Sequence, residues 1–268
     1  MNNKRLFTFA KVLLFWFGTM IILAAASAAT KSVAGIWTAI ASLSIALAGS
    51  VLLTLLFVRW EGLTLKSAGI LPESQSFGRL LSGFLIGLLL PFLQAMLVLA
   101  SGHVTLTLSP QISLLIFAAN LLLFLMIAFR EEVAFRGFPL RALERSAGKW
   151  LALILITILF IIEHRISGWT WPRALIGSGL GGLLYGLATL KTRGIALSAG
   201  LHSAWNFGQW LLGFKDDTGL YQVYIEKGYE ARAGQAGWLG YLLAVGLAIL
   251  FFIIIELRSK KTAYDQHP

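Results

Sequence analysis

The chain has 268 residues, 57% of them hydrophobic and only 13% charged, a composition of membrane proteins rather than of soluble enzymes or disordered chains. A net charge of +10 would suit nucleic acid, but the basic residues gather at the ends of apolar segments instead of along one face, which argues against that partner. The absence of cysteine excludes disulfides, thiolate nucleophiles and cysteine-ligated metals.

A helix needs about 20 apolar residues to cross the hydrocarbon layer. Taken in order, the apolar runs predict spans near 11–29, 34–58, 80–101, 113–143, 150–166, 174–190, 194–213 and 238–257. The expected fold is therefore an all-α, polytopic transmembrane helical bundle of about eight spans, forming a single membrane domain over residues 1–268. The first run follows Lys4 and Arg5 and ends in Ala26-Ser27-Ala28, which resembles a signal-peptide cleavage site. Its length, and the spans after it, favour an uncleaved first helix. With the N-terminus placed in the cytoplasm, cytoplasmic segments carry Arg59, Lys66, Arg79, Arg141, Arg145, Lys149, Lys191, Arg193, Arg258, Lys260 and Lys261. The other side carries Lys31, Arg165, Arg173, Lys215, Lys227 and Arg232. The bias predicts both termini cytoplasmic. Trp60, Trp150, Trp169, Trp171 and Trp238 stand near span ends, where tryptophan anchors at the interface.

The sixth span holds Gly177, Gly181, Gly182 and Gly186 at small-x-x-x-small spacing, a pattern for close helix packing. The longest polar stretch, Phe214 to Gly237, is too short for its own core. It carries Asp216, Asp217, Tyr221, Tyr224 and Tyr229 and reads as a loop able to gate a substrate or bind a partner. His103 and His267 fall in a loop and a tail and read as solvent-exposed, and all three aspartates, Asp265 included, fall in loop or tail. A two-aspartate protease is thereby excluded. Gly177-Ser178-Gly179 lacks the preceding glycine of a rhomboid-like motif. No long internal repeat is visible, which weakens the case for a two-fold transporter.

Three polar groups interrupt apolar helices: Glu131-Glu132-x-x-x-Arg136, His164, and His202 with Asn206. Ionised groups at such depth cost several kcal/mol or so each and are kept for pairing or chemistry. Glu132 and Arg136 are one turn apart and can pair, whereas Glu131 points about 100° away. Glu131 and His164 lie about 20 Å along their helices from the turn at Glu144 to Lys149. His202 and Asn206 lie about 12 and 18 Å beyond the turn at Lys191 to Gly194. All of them can share one intramembrane cavity, provided the fourth helix runs on toward Leu143 past Pro139. A carboxylate with an imidazole can deprotonate water, and an imidazole with an amide can hold an oxyanion. The pattern suggests amide hydrolysis. The bland readings are a structural ion pair for Glu132 and Arg136, interhelical hydrogen bonds for His202 and Asn206, and packing for Phe160. Trp205 and Trp210 either line the cavity or face lipid.

In this order, Glu131-Glu132-x-x-x-Arg136, Phe160-x-x-x-His164 and His202-x-x-x-Asn206 resemble the three motifs of the CAAX protease and bacteriocin-processing family. This family, also called CPBP or Abi, includes the type II CAAX prenyl endopeptidases. Phe135-Arg136-Gly137 and Gly200-Leu201 agree with it in local context. The motifs run from Glu131 to Asn206, under a third of the chain, and the eight-span layout is similar too. The resemblance implies an intramembrane endopeptidase in which Glu131 is the general base beside His164, Glu132 and Arg136 orient the site, and His202 and Asn206 form the oxyanion hole. The family is described both as metal-dependent and as metal-free. A divalent ion such as zinc, with Glu131, His164 and His202 as candidate ligands, and no metal at all both stay open. Glu163 and Arg165 directly flank His164, a departure that bears on its protonation. The implied partners are membrane lipids and a peptide or membrane-protein substrate, prenylated only if the host makes prenylated proteins. The implied setting is a prokaryotic cytoplasmic membrane. The rivals are a non-catalytic immunity or scaffold protein of the same fold and a transporter that uses the buried charges.

Overall fold

The computed structural model describes residues 3–215 and 219–265, with side chains through Arg258. Asp216, Asp217 and His267 lie outside the described residues. The helices are α1 (Asn3–Ala29), α2 (Ile36–Trp60), α3 (Ser76–Ala100), α4 (Leu114–Arg136), α5 (Phe138–Ala147), α6 (Lys149–Ile166), α7 (Gly179–Thr192), α8 (Ala196–Leu211) and α9 (Glu230–Asp265), with a π-helical turn at Arg173–Ser178 before α7. Each apolar run read from the sequence falls on a helix. Leucine, isoleucine and phenylalanine crowd the outward faces, Leu52, Leu89 and Leu247 among them. Such a surface suits lipid, which asks only that backbone groups be satisfied within the helix.

Two expectations change. Among the described residues, six helical segments are long and apolar enough to cross a membrane, not eight. The helix α8 has 16 residues, and α6 has 18 that include Lys149, Glu163 and Arg165. The runs looked longer in sequence because apolar flanks extended them. The fourth helix also breaks at Gly137, whose N–H reaches Glu132 O at 3.0 Å, after which α5 starts with Pro139 in its first turn. A Cβ at Gly137 would lie 2.8 Å from Val133 O, so a side chain there would press on the preceding turn.

Two strands also appear, β1 (Val104–Leu108) and β2 (Tyr221–Ile225), paired antiparallel with Leu106 opposite Val223. The stretch from Phe214 to Gly237 is therefore a strand and the start of α9 rather than one loop. His103 is partly covered, stacked on Tyr229 at 3.4 Å and bonded to Glu226 at 2.7 Å, which corrects its reading as solvent-exposed. Asp265 closes α9 rather than lying in a tail.

The helix ends sort onto two faces. At one, here the basic end, Lys11 pairs with Glu61 at 2.6 Å, Arg193 with Glu144 at 2.7 Å, and Lys149 with Glu256. Arg79 donates to Thr192 O at 3.0 Å there. Phe15, Phe57 and Phe138 pack edge and tilted within about 5.4 Å just inside this end. At the other, here the sheet end, β1 and β2 join the chain after α3 to the chain before α9. Between the ends, α3 and α8 meet backbone to backbone. A Cβ at Gly83 would lie 2.3 Å from Leu197 O, and one at Gly200 would lie 2.2 Å from Leu80 O. Small residues allow this approach where lipid offers no hydrophobic drive for helix association.

Candidate active site

The structure brings Glu131, Glu132, Arg136 and His202 into one cluster. Glu132 and Arg136, one turn apart on α4, pair at 3.2 Å with both side chains wholly buried. Arg136 also donates to Gly182 O at 3.4 Å and lies 4.3 Å above the Phe160 ring, where the ring face favours a cation. A Cβ on Gly182 would come to 3.2 Å from Phe160 and 3.3 Å from Thr157, so the glycine lets α7 lie close on α6 while its carbonyl receives the guanidinium. The same helix face packs on α6 through Gly186, whose Cβ would strike Leu153. The glycine run thus packs helices, and one of its members also seats a site residue.

His202 on α8 stands between both glutamates. Its Nδ1 lies 3.1 Å from Glu132 Oε1, and its Nε2 lies 3.6 Å from Glu131 Oε2. The Tyr185 ring stacks on it at 4.4 Å and 13°. Because a carboxylate only accepts, Nδ1 carries the proton toward Glu132, and Nε2 faces Glu131. Glu131 Oε2 and Glu132 Oε2 are buried, and no hydrogen bond within the protein uses them. These carboxylates therefore retain acceptor capacity beside an imidazole.

His164 sits two residues before the end of α6. Its Nδ1 is 2.9 Å from Phe160 O, so that nitrogen donates and Nε2 keeps its lone pair. Its ring meets the edges of Phe160 at 4.4 Å and Trp169 at 4.6 Å. Asn206 does not bond His202. Its Oδ1 accepts from Lys215 Nζ at 3.0 Å. An ammonium has no acceptor, so this contact fixes the amide orientation and leaves the Nδ2 hydrogens for another partner.

His164, His202 and Asn206 line a chamber of about 50 Å³ together with Phe160, Ser178 and Tyr185. That is enough for water. Glu131 does not line the chamber and meets the site through His202. Trp169, Gly177, Trp205, Asn206 and Tyr241 line both this chamber and a vestibule of about 330 Å³, which is also lined by Arg173, Lys215 and Trp238. The π-helical turn shapes this junction: its widened backbone presents Gly177 O to the Tyr241 hydroxyl, which donates to it. Trp205 lines the cavity, whereas Trp210 is core, against Phe207 and Phe117.

The metal question can be put to the donor set. Among the described residues no three His, Asp or Glu side chains group so as to hold an ion. The hydrogen bonds of His202 Nδ1 and His164 Nδ1 leave both Nε2 atoms with lone pairs, but two imidazoles alone are short of a metal site. Among the described residues the arrangement does not match a three- or four-ligand zinc site.

Sequence reasoning missed a second buried centre. Arg130 pairs with Glu163, and Trp16 Nε1 donates to the other Glu163 oxygen at 2.8 Å. Arg130 immediately precedes Glu131, and Glu163 immediately precedes His164. The charge of both was visible, but their partners lie on different helices, and no spacing rule joins α1, α4 and α6.

Residues 112–208 match the family model described as type II CAAX prenyl endopeptidase Rce1-like. The matched segment covers just over a third of the chain and contains every residue of the three motifs. The match agrees with the resemblance of those motifs to the CAAX-protease family, a family of membrane peptide hydrolases. No curated protein matches the chain. The chain is an integral membrane protein by its apolar helices and by this match.

Proposed function

We propose that the protein is an intramembrane endopeptidase that hydrolyses peptide bonds of membrane-associated peptides or proteins with a water activated by Glu131. The observation that carries this reading is the placing of His202 between Glu131 and Glu132, at the wall of a chamber that His164 and Asn206 also line. Glu131 takes the proton of the attacking water by way of His202 Nε2, 3.6 Å from its Oε2, and the His164 Nε2 lone pair is a second acceptor for that water. The Asn206 amide, held by Lys215, directs its Nδ2 hydrogens at the oxyanion that forms on the attacked carbonyl. His202, when protonated, adds its Nε2–H. Glu132 and Arg136 fix the His202 ring. The proton held by Glu131 then passes to the leaving amine, which completes hydrolysis to a new carboxylate and a new amine.

The test is cleavage of a membrane-peptide library by purified protein in detergent, with Glu131→Gln and His202→Ala alongside. Loss of cleavage in both folded variants supports the reading. Unchanged cleavage in both refutes the site assignment.

A further inference from the structure

The chamber that holds His164, His202 and Asn206 leads toward one end of the molecule. It shares Trp169, Trp205 and Tyr241 with the vestibule, which is completed by Phe214 and Lys215 after α8 and by Gly234, Gly237 and Trp238 at the start of α9. These segments flank β2, so the vestibule lies at the sheet end. Toward the basic end the site is closed. Arg136 and Glu132 are wholly buried, with Phe135 and Phe138 packed beside them. Three cavities border the basic end, near Arg79, near Arg145 and near Lys149, and none of them touches Glu131, His164, His202 or Asn206.

The two ends differ in charge. Among the described side chains, twelve basic residues, Arg59, Lys66, Arg79, Arg145, Lys149 and Arg193 among them, belong to connections or helix ends of the basic end, against six at the other, Lys31, Arg165, Arg173, Lys215, Lys227 and Arg232. Basic residues so placed are retained on the cytoplasmic side, and acidic residues at either end count for little in this bias. The end that carries the vestibule is then the outer one. Its mouth is walled by Trp169, Trp205 and Trp238, residues suited to interfacial depth and to apolar peptide side chains.

We propose that the chamber opens on the face of the membrane opposite the cytoplasm, and that its substrates are peptide segments presented at that outer surface, with apolar side chains received by the tryptophan-lined mouth. The sidedness stands on the cavity and the charge distribution. The substrate half rests on the peptidase reading.

Because the chain has no cysteine, single cysteines report sidedness without further engineering. Thr107→Cys lies exposed on β1, and Ser74→Cys lies exposed in the connection before α3. Gly234→Cys lies in the vestibule wall, where an added Cβ meets nothing within 4 Å. The full chain is expressed in cells stripped of any outer wall and treated with a bulky, membrane-impermeant maleimide before or after permeabilisation. Thr107→Cys and Gly234→Cys are expected to label before permeabilisation, and Ser74→Cys only after it. The reverse pattern, or labelling of Ser74→Cys from outside, overturns the sidedness.

A reporter peptide anchored by one transmembrane segment is then displayed on either face, with Glu131→Gln as the inactive control. Cleavage of the outward reporter, slowed at least tenfold (about 1.4 kcal/mol) once Gly234→Cys is labelled, supports the substrate half. Cleavage of the inward reporter alone overturns it. A wild type that cleaves neither reporter while the labelling holds refutes the peptidase reading and the substrate half, and leaves the sidedness intact.

Discussion

Arg130 and Arg136 lie about two turns apart on α4, both buried and each paired with a glutamate. In the pair of Arg130 with Glu163, both carboxylate oxygens are used, one by the guanidinium and one by Trp16. In the cluster around Arg136, Glu132 Oε1 is shared by Arg136 and His202, while Glu132 Oε2 and Glu131 Oε2 have no hydrogen bond within the protein. The first centre ties α1, α4 and α6 together. The second stands beside a water-sized chamber. Burial of charge is common to both, so burial alone does not mark chemistry. Unused acceptor capacity next to an accessible chamber does.

The two centres are expected to differ most at Glu131. Glu131→Gln keeps the shape and removes the base, and peptide cleavage is expected to fall by up to about 10⁴-fold with the melting temperature little changed. Unaltered turnover would remove Glu131 from the chemistry. Arg130→Met is expected to do the opposite. It leaves Glu163 charged and buried, at a cost of about 3–5 kcal/mol in stability, read as a lower unfolding midpoint in detergent. The double change Arg130→Met with Glu163→Met should recover most of that loss. If the single change instead abolishes turnover while stability holds, the two centres are not separable in the way described. Asn206→Leu removes an oxyanion donor and is expected to lower kcat about 10²–10³-fold with smaller change in KM; equal loss in binding and no loss in kcat would contradict that role. Gly87→Ala brings a Cβ to 2.7 Å from Leu201 O, next to His202, and overpacking of this kind costs about 1–3 kcal/mol. Thermal unfolding of that variant reads the cost directly. Arg193→Ala breaks an exposed pair with Glu144 and should move stability by less than about 1 kcal/mol, which makes it the control for all the others.

The helices were legible because each span repeats the same cue, an apolar run with charge or tryptophan at its ends. The pairing of Glu132 with Arg136 was legible because i,i+4 spacing is local. The contacts of His202 with both glutamates, of Lys215 with Asn206 and of Arg130 with Glu163 were not, because each joins separate helices or a helix and its following loop. The first strand left a readable trace. Val104-Thr105-Leu106-Thr107-Leu108 alternates with period two, but a reading tuned to long apolar runs passes over five residues. The break at Gly137 was half legible. Pro139 announced it, yet the bond from Gly137 N–H to Glu132 O that widens the last turn of α4 belongs to three dimensions.

The contact of α3 with α8 has a mechanical consequence. Where Gly83 and Gly200 set one backbone against the other, neither helix can slide or separate without losing its fit, so the seam behaves as a weld. His202 and Asn206 ride on the welded helix. Any widening of the mouth is therefore expected at the other wall, where α9 begins and Val104, Val223 and Ile225 of the paired strands pack with Ala233 and Ala236. The rate of that breathing should track how firmly the two strands are paired, not how firmly the bundle is packed.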